Sequence, residues 1–190
     1  MTREEALQRF EESGALLTGH FLLSSGLHSP KYVQCAKVLQ YPEIAGELCA
    51  ELAKPWRGRE IDAVIGPAMG AVTLAYELAR ALGARGLFTE RVEGAMRLRR
   101  GLSVQGGERV IVCEDVLTTG KSADEVIQDV LAPAGAEVVG VAALIDRGGA
   151  ASFPQFETHT LLTVEAPAFA PEECPLCRKG EPVVKPGSRA

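Results

Sequence analysis

Three apolar runs decide what this chain can fold into. Ile61-Asp62-Ala63-Val64-Ile65, Val110-Ile111-Val112-Cys113 and Val138 to Ile145 are short and rich in β-branched residues. They are apolar almost without interruption rather than alternating with polar residues, so the strands they form are buried on both faces. Ala71 to Leu82 and Lys121 to Leu131 lie between them with helical periodicity. Strand, turn and helix in repetition describe an α/β fold, a mainly parallel sheet flanked by helices. Such sheets bind ligands at the carboxyl ends of their strands. The turns after Ile65, Cys113 and Ile145 are therefore the places to look for chemistry.

The remaining segments read more simply. Thr2 to Ser13 is a helix opened by a Thr2/Glu5 capping box and ended by Gly14. His20 to Leu23 is a short strand, and Ser24 to Pro30 is rich in turn formers. A second helix starts after Tyr41-Pro42, with Ile44, Leu48 and Leu52 on one face. Leu87-Phe88-Thr89 and Thr160 to Val164 are further strands, and the tail from Pro171 is irregular. A length of 190 residues suits a single domain over 1–190, with accessory elements from about 1–40 and the carboxyl-terminal tail. The net charge of −5 argues against a broad nucleic-acid footprint but allows a local cationic patch. No apolar run is long enough to span a bilayer. The acidic start Met1-Thr2-Arg3-Glu4-Glu5 is unlike a secretory signal, and the five cysteines fit a reducing cytoplasm.

The most specific stretch follows the second of the three runs: Glu114-Asp115-Val116-Leu117-Thr118-Thr119-Gly120-Lys121-Ser122. Two adjacent carboxylates leave a buried strand and can hold sugar hydroxyls or a cation. A loop of small hydroxyl residues and glycine then opens a helix, where backbone N–H groups and the helix dipole favour a phosphate. A Walker A loop is excluded, because Asp115 stands where that motif needs glycine. The stretch resembles the PRPP-binding motif of type I phosphoribosyltransferases (PRPP is 5-phosphoribosyl 1-diphosphate). The resemblance implies the fold of that family, with a small amino-terminal hood. It implies that Glu114 and Asp115 hold the ribose hydroxyls and that Thr118 to Ser122, entered through Val116 and Leu117, cradle the 5-phosphate. It also makes Ala68, Met69 and Gly70 the pyrophosphate-binding loop, which in the family presents N–H groups through a strained peptide.

The hood selects a branch. Ser24-Ser25-Gly26-Leu27-His28-Ser29-Pro30-Lys31-Tyr32 is similar to the segment that folds over the base in orotate phosphoribosyltransferases. That resemblance places Ser25, Gly26, Tyr32 and Val33 at the base, with Thr118 reaching it. Many members carry Lys at the place of Ser24 and a second aromatic at the place of Val33. Arg147, in Asp146-Arg147-Gly148-Gly149, corresponds to the arginine that pairs with the orotate carboxylate, a role suited to a bidentate guanidinium. Glu90 to Arg100 corresponds to the family's mobile catalytic loop. Arg91, Arg97, Arg99 and Arg100 stand there in place of the usual lysines and histidine. Cys174-Pro175-Leu176-Cys177 is half of a tetrahedral zinc site. With no second pair nearby in sequence it reads as a reduced thiol pair, unless a partner subunit completes it, and no side-chain metal site is assigned.

The resemblance implies transfer of ribose 5-phosphate from PRPP to orotate in pyrimidine synthesis, by a homodimer, with Mg²⁺ bound through PRPP or pyrophosphate. Asp115 and the four arginines carry the catalytic expectations. Another base as acceptor, or a PRPP-sensing regulator, are the alternative readings.

Overall fold

A reciprocal cap fixes the amino-terminal helix. In the computed structural model, which describes residues 1–23, 25–147 and 153–186, the Thr2 hydroxyl accepts from the Glu5 backbone N–H and the Glu5 carboxylate accepts from that of Thr2. Helix α1 (Arg3–Glu12) buries Ala6 and Phe10. Strands β1 (Leu16–Leu22) and β2 (His28–Val33) then pair antiparallel as a separate two-stranded sheet, the hood. Pro30 sits inside β2, although the sequence pattern assigns it to a turn. A two-stranded sheet has only edge strands, and these tolerate a residue with no N–H to donate. Helices α2 (Ala36–Leu39) and α3 (Pro42–Leu52, with proline in its first turn) follow.

The main sheet is built from β3 (Ala63–Pro67), β4 (Arg85–Val92), β5 (Ala95–Leu98), β6 (Arg109–Leu117), β7 (Glu137–Asp146) and β8 (Glu157–Thr163). Their order is β5-β4-β3-β6-β7-β8, and every pairing is parallel except β4 with β5. Helix α4 (Val72–Leu82) joins β3 to β4. The connection from β6 to β7 is α5 (Lys121–Val126), a π turn (Ile127–Leu131) and α6 (Ala132–Ala134). After β3 the chain moves to one side of that strand, and after β6 to the other. The crevice between the carboxyl ends of β3 and β6 is therefore the topological switch point, the usual ligand site of such sheets.

Continuous apolar strands feed two cores, one on each face. Val64, Ile111, Ala142 and Leu144 pack with Phe10, Leu48, Trp56, Leu74 and Leu78 on one side. Ala63, Ile65, Val110, Val112, Val141 and Ala143 pack with Met96, Leu117 and Leu131 on the other. The alternation along each strand is the period of two that a sheet buried on both faces requires. Gly140 marks the tightest point. A Cβ there would fall 2.7 Å from the Glu157 carbonyl and 3.0 Å from the Trp56 ring. Gly140→Ala is expected to cost about 1–3 kcal/mol, the usual range for overpacking against backbone. Urea unfolding followed by Trp56 fluorescence measures this.

The tail is more ordered than its composition suggests. Phe169 and His28 exchange backbone hydrogen bonds at 2.8 Å, and Val184 bridges β1 through His20 and Leu22, also at 2.8 Å. Between these contacts lies α7 (Pro175–Arg178). The carboxyl-terminal segment thus extends the hood sheet at two points.

Candidate functional site

The two loops at the switch point touch. A Cβ on Gly66 would meet the Ala71 Cβ at 2.7 Å and the Cys113 carbonyl at 3.1 Å. A Cβ on Gly70 would fall 2.7 Å from both carboxylate oxygens of Asp115. Glycine at 70 is what lets the loop after β3 lie against the acid at the end of β6. In that loop the Ala68–Met69 peptide is cis, Ala68 N–H donates to the Thr89 carbonyl at 2.8 Å, and Met69 is 83% exposed.

Glu114 and Asp115 are half-buried side by side. Burial pushes the Glu114 carboxyl up to about 7, and the neighbouring Asp115 charge pushes the same way. Bonds from the Ser122 hydroxyl and the Ala123 N–H oppose both effects. Burial also raises Asp115, against bonds from its own N–H and that of Val116. Two neighbouring carboxylates with no cation paired to either among the described residues suit hydroxyl donors or a hard divalent cation.

The next loop fits a phosphate. Gly120 takes φ 74°, a left-handed conformation open to glycine, and starts α5. The Thr119 hydroxyl accepts from the Lys121 N–H at 3.4 Å. Thr119, Gly120, Lys121 and Asp124 line a cavity of about 530 Å³ together with Phe153 and Gln155. Thr118 is exposed at the entrance, Ser122 and Val116 are half-buried, and Leu117 is in the core. A larger cavity of about 660 Å³ lies between α1 and α3, lined by both signs of charge and sharing no residue with these loops.

The hood and the end of β7 close the other side. Arg147 N–H donates to the Leu117 carbonyl at 3.0 Å, so β6 and β7 hold its backbone. Its Nη2 donates to the Ser29 hydroxyl at 3.4 Å and the Ala166 carbonyl at 3.2 Å. Its Nε is buried with no partner among the described residues, and burial lowers the pKa of the guanidinium while Tyr32 raises it. A half-buried guanidinium with such an Nε is suited to a carboxylate ligand. The Tyr32 phenol is raised first by burial, then by Asp115, with Arg147 acting in opposition. Tyr32 is therefore within electrostatic reach of both Asp115 and Arg147. Val33 does not join it. Neighbours in a strand face opposite ways, and Val33 packs on the core below while Tyr32 turns to Phe21, ring centroids 5.8 Å apart. Ser25 and Gly26 form the exposed tip of the hood, with Gly26 at φ 83°. Ser24, Gly148 and Gly149 lie outside the described residues.

The arginine segment is not an open loop over most of its length. Glu93 and Gly94 both take positive φ, 51° and 88°, and close a two-residue turn between β4 and β5. Arg91 pairs with Glu125 on α5 and donates to the Gly94 carbonyl. The Met96 N–H donates to Asp129 at 2.8 Å, so this hairpin is tied to the helix that follows the phosphate loop. Arg99 and Arg100 both pair with Glu90, at 3.3 and 2.6 Å. Arg97 donates only to the Met96 carbonyl and, among the described residues, has no carboxylate partner. The four arginines are thus not equivalent: three are engaged in ion pairs and one is not.

Sequence spacing also hid a cluster. His20 and His28, on the two hood strands, meet Cys174 and Cys177 of the tail. The available signal was two histidines eight positions apart in an antiparallel pair, with no short motif to flag them.

Comparison with known proteins agrees with this geometry. Residues 37–174 match the family model described as the phosphoribosyl transferase domain. The chain is 55% identical over 189 residues to the orotate phosphoribosyltransferase of Caldicellulosiruptor bescii, covering 100% of this chain and 99% of that one. It is 52% identical to the enzyme of the same name from Pelotomaculum thermopropionicum, again over 100% and 99%. Among solved structures, the orotate phosphoribosyltransferase of Aeropyrum pernix superposes with a TM-score of 0.69 at 26% identity, over 83% of this chain and 93% of that one. That of Mycobacterium tuberculosis, in complex with inorganic phosphate, gives 0.64 at 28% identity, over 85% and 95%.

Proposed function

The chain belongs to the orotate phosphoribosyltransferase family, and from that premise we propose that it moves ribose 5-phosphate from PRPP to orotate, releasing pyrophosphate. One observation carries the assignment of the site. The acid pair of β6 and the loop that follows it share a cleft with Arg147, a half-buried arginine just after β7 whose Nε has no partner among the described residues. The first two suit the phosphorylated sugar, and the third suits the carboxylate that distinguishes orotate from uracil.

The ring nitrogen of orotate gives up its proton to solvent or to the departing pyrophosphate and bonds to the anomeric carbon as the bond to the diphosphate oxygen breaks. Positive charge then spreads over that carbon and the ring oxygen. Asp115 faces this charge from the ribose side and stabilises it, while Glu114 accepts from a ribose hydroxyl and fixes the sugar. The N–H groups of Met69 and Gly70 receive the leaving pyrophosphate, while that of Ala68 is held by the Thr89 carbonyl and fixes the loop. Thr118 to Ser122 hold the 5-phosphate, and Arg147 with Tyr32 orients the base. Glu114 and Asp115 are the oxygen donors of this chain that would face Mg²⁺ carried in on the diphosphate, and the ion would supply neutralising charge for the leaving group. Of the four arginines, Arg97 is the one left to follow pyrophosphate, since the others are held by Glu90 and Glu125.

The enzyme acts as a homodimer in this reading. Support comes from Met69 and Tyr76, 83% and 65% exposed on the pyrophosphate loop and on α4, an apolar surface that a second copy would cover. Placement in the cytoplasm is supported by cysteines that are all free thiols. Among the described residues no helix is long and apolar enough to cross a membrane.

The test follows orotate absorbance in the purified chain with PRPP and Mg²⁺, with uracil, hypoxanthine, adenine and xanthine in parallel. Loss of orotate that needs both PRPP and Mg²⁺ is expected. Turnover of another base instead of orotate overturns the reading.

A further inference from the structure

We propose that His20, His28, Cys174 and Cys177 bind one structural Zn²⁺ that clamps the carboxyl-terminal segment to the hood. The four donor atoms, one from each side chain, all lie within 4.8 Å of one another. His20 Nε2 is 3.5 Å from the Cys174 sulfur and 3.6 Å from that of Cys177. His28 Nδ1 is 3.2 Å from the Cys177 sulfur. Tetrahedral zinc with Zn–S near 2.3 Å and Zn–N near 2.0–2.1 Å has nitrogen–sulfur edges of about 3.5 Å. These contacts are therefore close to ligand spacings. The two ring nitrogens, 2.8 Å apart, need to part by only about half an ångström to reach the nitrogen–nitrogen edge of that tetrahedron.

The surroundings have the features of a metal site. The other nitrogen of His20, Nδ1, lies 2.8 Å from the Glu181 carbonyl. A carbonyl only accepts, so Nδ1 carries the proton and Nε2 presents its lone pair to the cluster. This is the outer-shell bond that orients most metal-ligating histidines. His20, His28 and Cys174 are buried at 4%, 7% and 0% exposure, while Cys177 is exposed and leaves a path for the ion. Two sulfurs and two imidazole nitrogens in tetrahedral reach select zinc over the hard cations. Binding releases the thiol protons to solvent.

The position explains what the ion would do. The backbone bridges His28–Phe169 and His20–Val184 flank the cluster on both sides. His28 precedes Ser29, and Ala166 lies three residues before Phe169. Ser29 and Ala166 are the two acceptors that hold the Arg147 guanidinium. Zinc would thus brace the base-binding arginine from behind without touching substrate, making the four ligands positioning residues.

The full chain, expressed in zinc-supplemented medium without a histidine tag and dialysed, is expected to hold one zinc per chain by plasma mass spectrometry. Replacing zinc by Co²⁺ is expected to give the visible bands of a tetrahedral site with sulfur-to-cobalt charge transfer. Cys174→Ser with Cys177→Ser should abolish both signals and lower Tm by about 5–10 °C, the size expected for losing a ligand held well above its Kd. If that double variant is insoluble, His28→Gln, which retains both thiols, supplies the same readouts. Wild-type chain that holds well under one zinc and gives no tetrahedral cobalt spectrum overturns the proposal. So does a Cys174–Cys177 disulfide found by thiol titration under reducing purification. A last readout rests on the proposed orotate transfer: the variants should raise KM for orotate several-fold with KM for PRPP nearly unchanged. Absence of orotate turnover in a zinc-loaded wild-type chain would count against that function and leave the metal site standing.

Discussion

Glu114→Gln is expected to flatten the acid limb of kcat/KM for PRPP, which in the native chain should bend near pH 7, the value at which burial and Asp115 place this carboxyl. Below the bend the free enzyme carries Glu114 protonated. A carboxylic acid donates one hydrogen bond and attracts no cation, whereas the carboxylate accepts from ribose hydroxyls and suits Mg²⁺–PRPP. Rate should therefore fall about tenfold per pH unit on the acid side, since kcat/KM reports ionisation of the free enzyme. The glutamine variant keeps the shape without the titration. Its profile should be flat through this range at a plateau roughly 10- to 100-fold below the native one, the size of one or two lost charge-assisted hydrogen bonds. Stability should move the other way. The folded-state pKa lies above the ordinary value of 4.5, so the native state binds the proton more tightly than the unfolded chain. Native stability is full below about pH 4.5 and falls as pH rises through about 7. Glu114→Gln escapes that loss and should exceed the wild type by about 3 kcal/mol above pH 7, with the difference closing toward pH 4.5. Chemical denaturation at two pH values measures this. An acid limb that survives unchanged in the variant would assign the titration to another group.

Such a trade, stability given up for a charged site, fits where the residue stands. Glu114 and Asp115 lie in the last part of a strand whose preceding residues, Val110 to Cys113, are wholly buried. The same apolar run that makes β6 a central strand carries the acids into a low-dielectric crevice, so the fold creates the shifted pKa directly.

That coupling is why the centre of the molecule was readable from sequence and its periphery was not. Runs buried on both faces announce β3, β6 and β7, and the turns after them carry the phosphate loop and Arg147. The β4–β5 hairpin was missed because its turn is Glu93-Gly94, and only glycine of that pair favours positive φ. β2 was masked by Pro30, which reads as a breaker unless the strand is known to be an edge. The divergence of Val33 from Tyr32 has the same origin. Pairing it with Tyr32 at the base assumes a loop, and once the segment is a strand the two side chains must part. The histidines were invisible for a different reason. Cys174 and Cys177 are separated from His20 and His28 by the entire main sheet in sequence, and only the return of the tail to the hood brings them together.

Arg147→Ala is expected to lower kcat/KM for orotate by about 10³-fold while leaving the Kd for PRPP within about twofold, the cost of breaking a bidentate, buried contact to one charged group. The guanidinium is already oriented before substrate arrives. Ser29 and Ala166 hold Nη2, the backbone of Leu117 holds the residue, and Nε is left buried without a partner among the described residues. A carboxylate placed against that N–H gives it a charged acceptor in the complex. Uracil, which is orotate without the carboxylate, leaves Nε unpaired when bound and should be rejected strongly by the native enzyme. In the alanine variant both bases meet the same neutral cavity, so the orotate-to-uracil ratio of kcat/KM should collapse toward unity even as orotate turnover falls. Arg147→Lys is not a compromise. An ammonium cannot donate to Ser29, Ala166 and a carboxylate in one plane, so the lysine variant should keep the charge and still lose about 10²-fold on orotate. Steady-state kinetics with the two bases decide the matter. A uniform loss on both, with the ratio preserved, would mean that Arg147 braces the hood and that the carboxylate is read elsewhere.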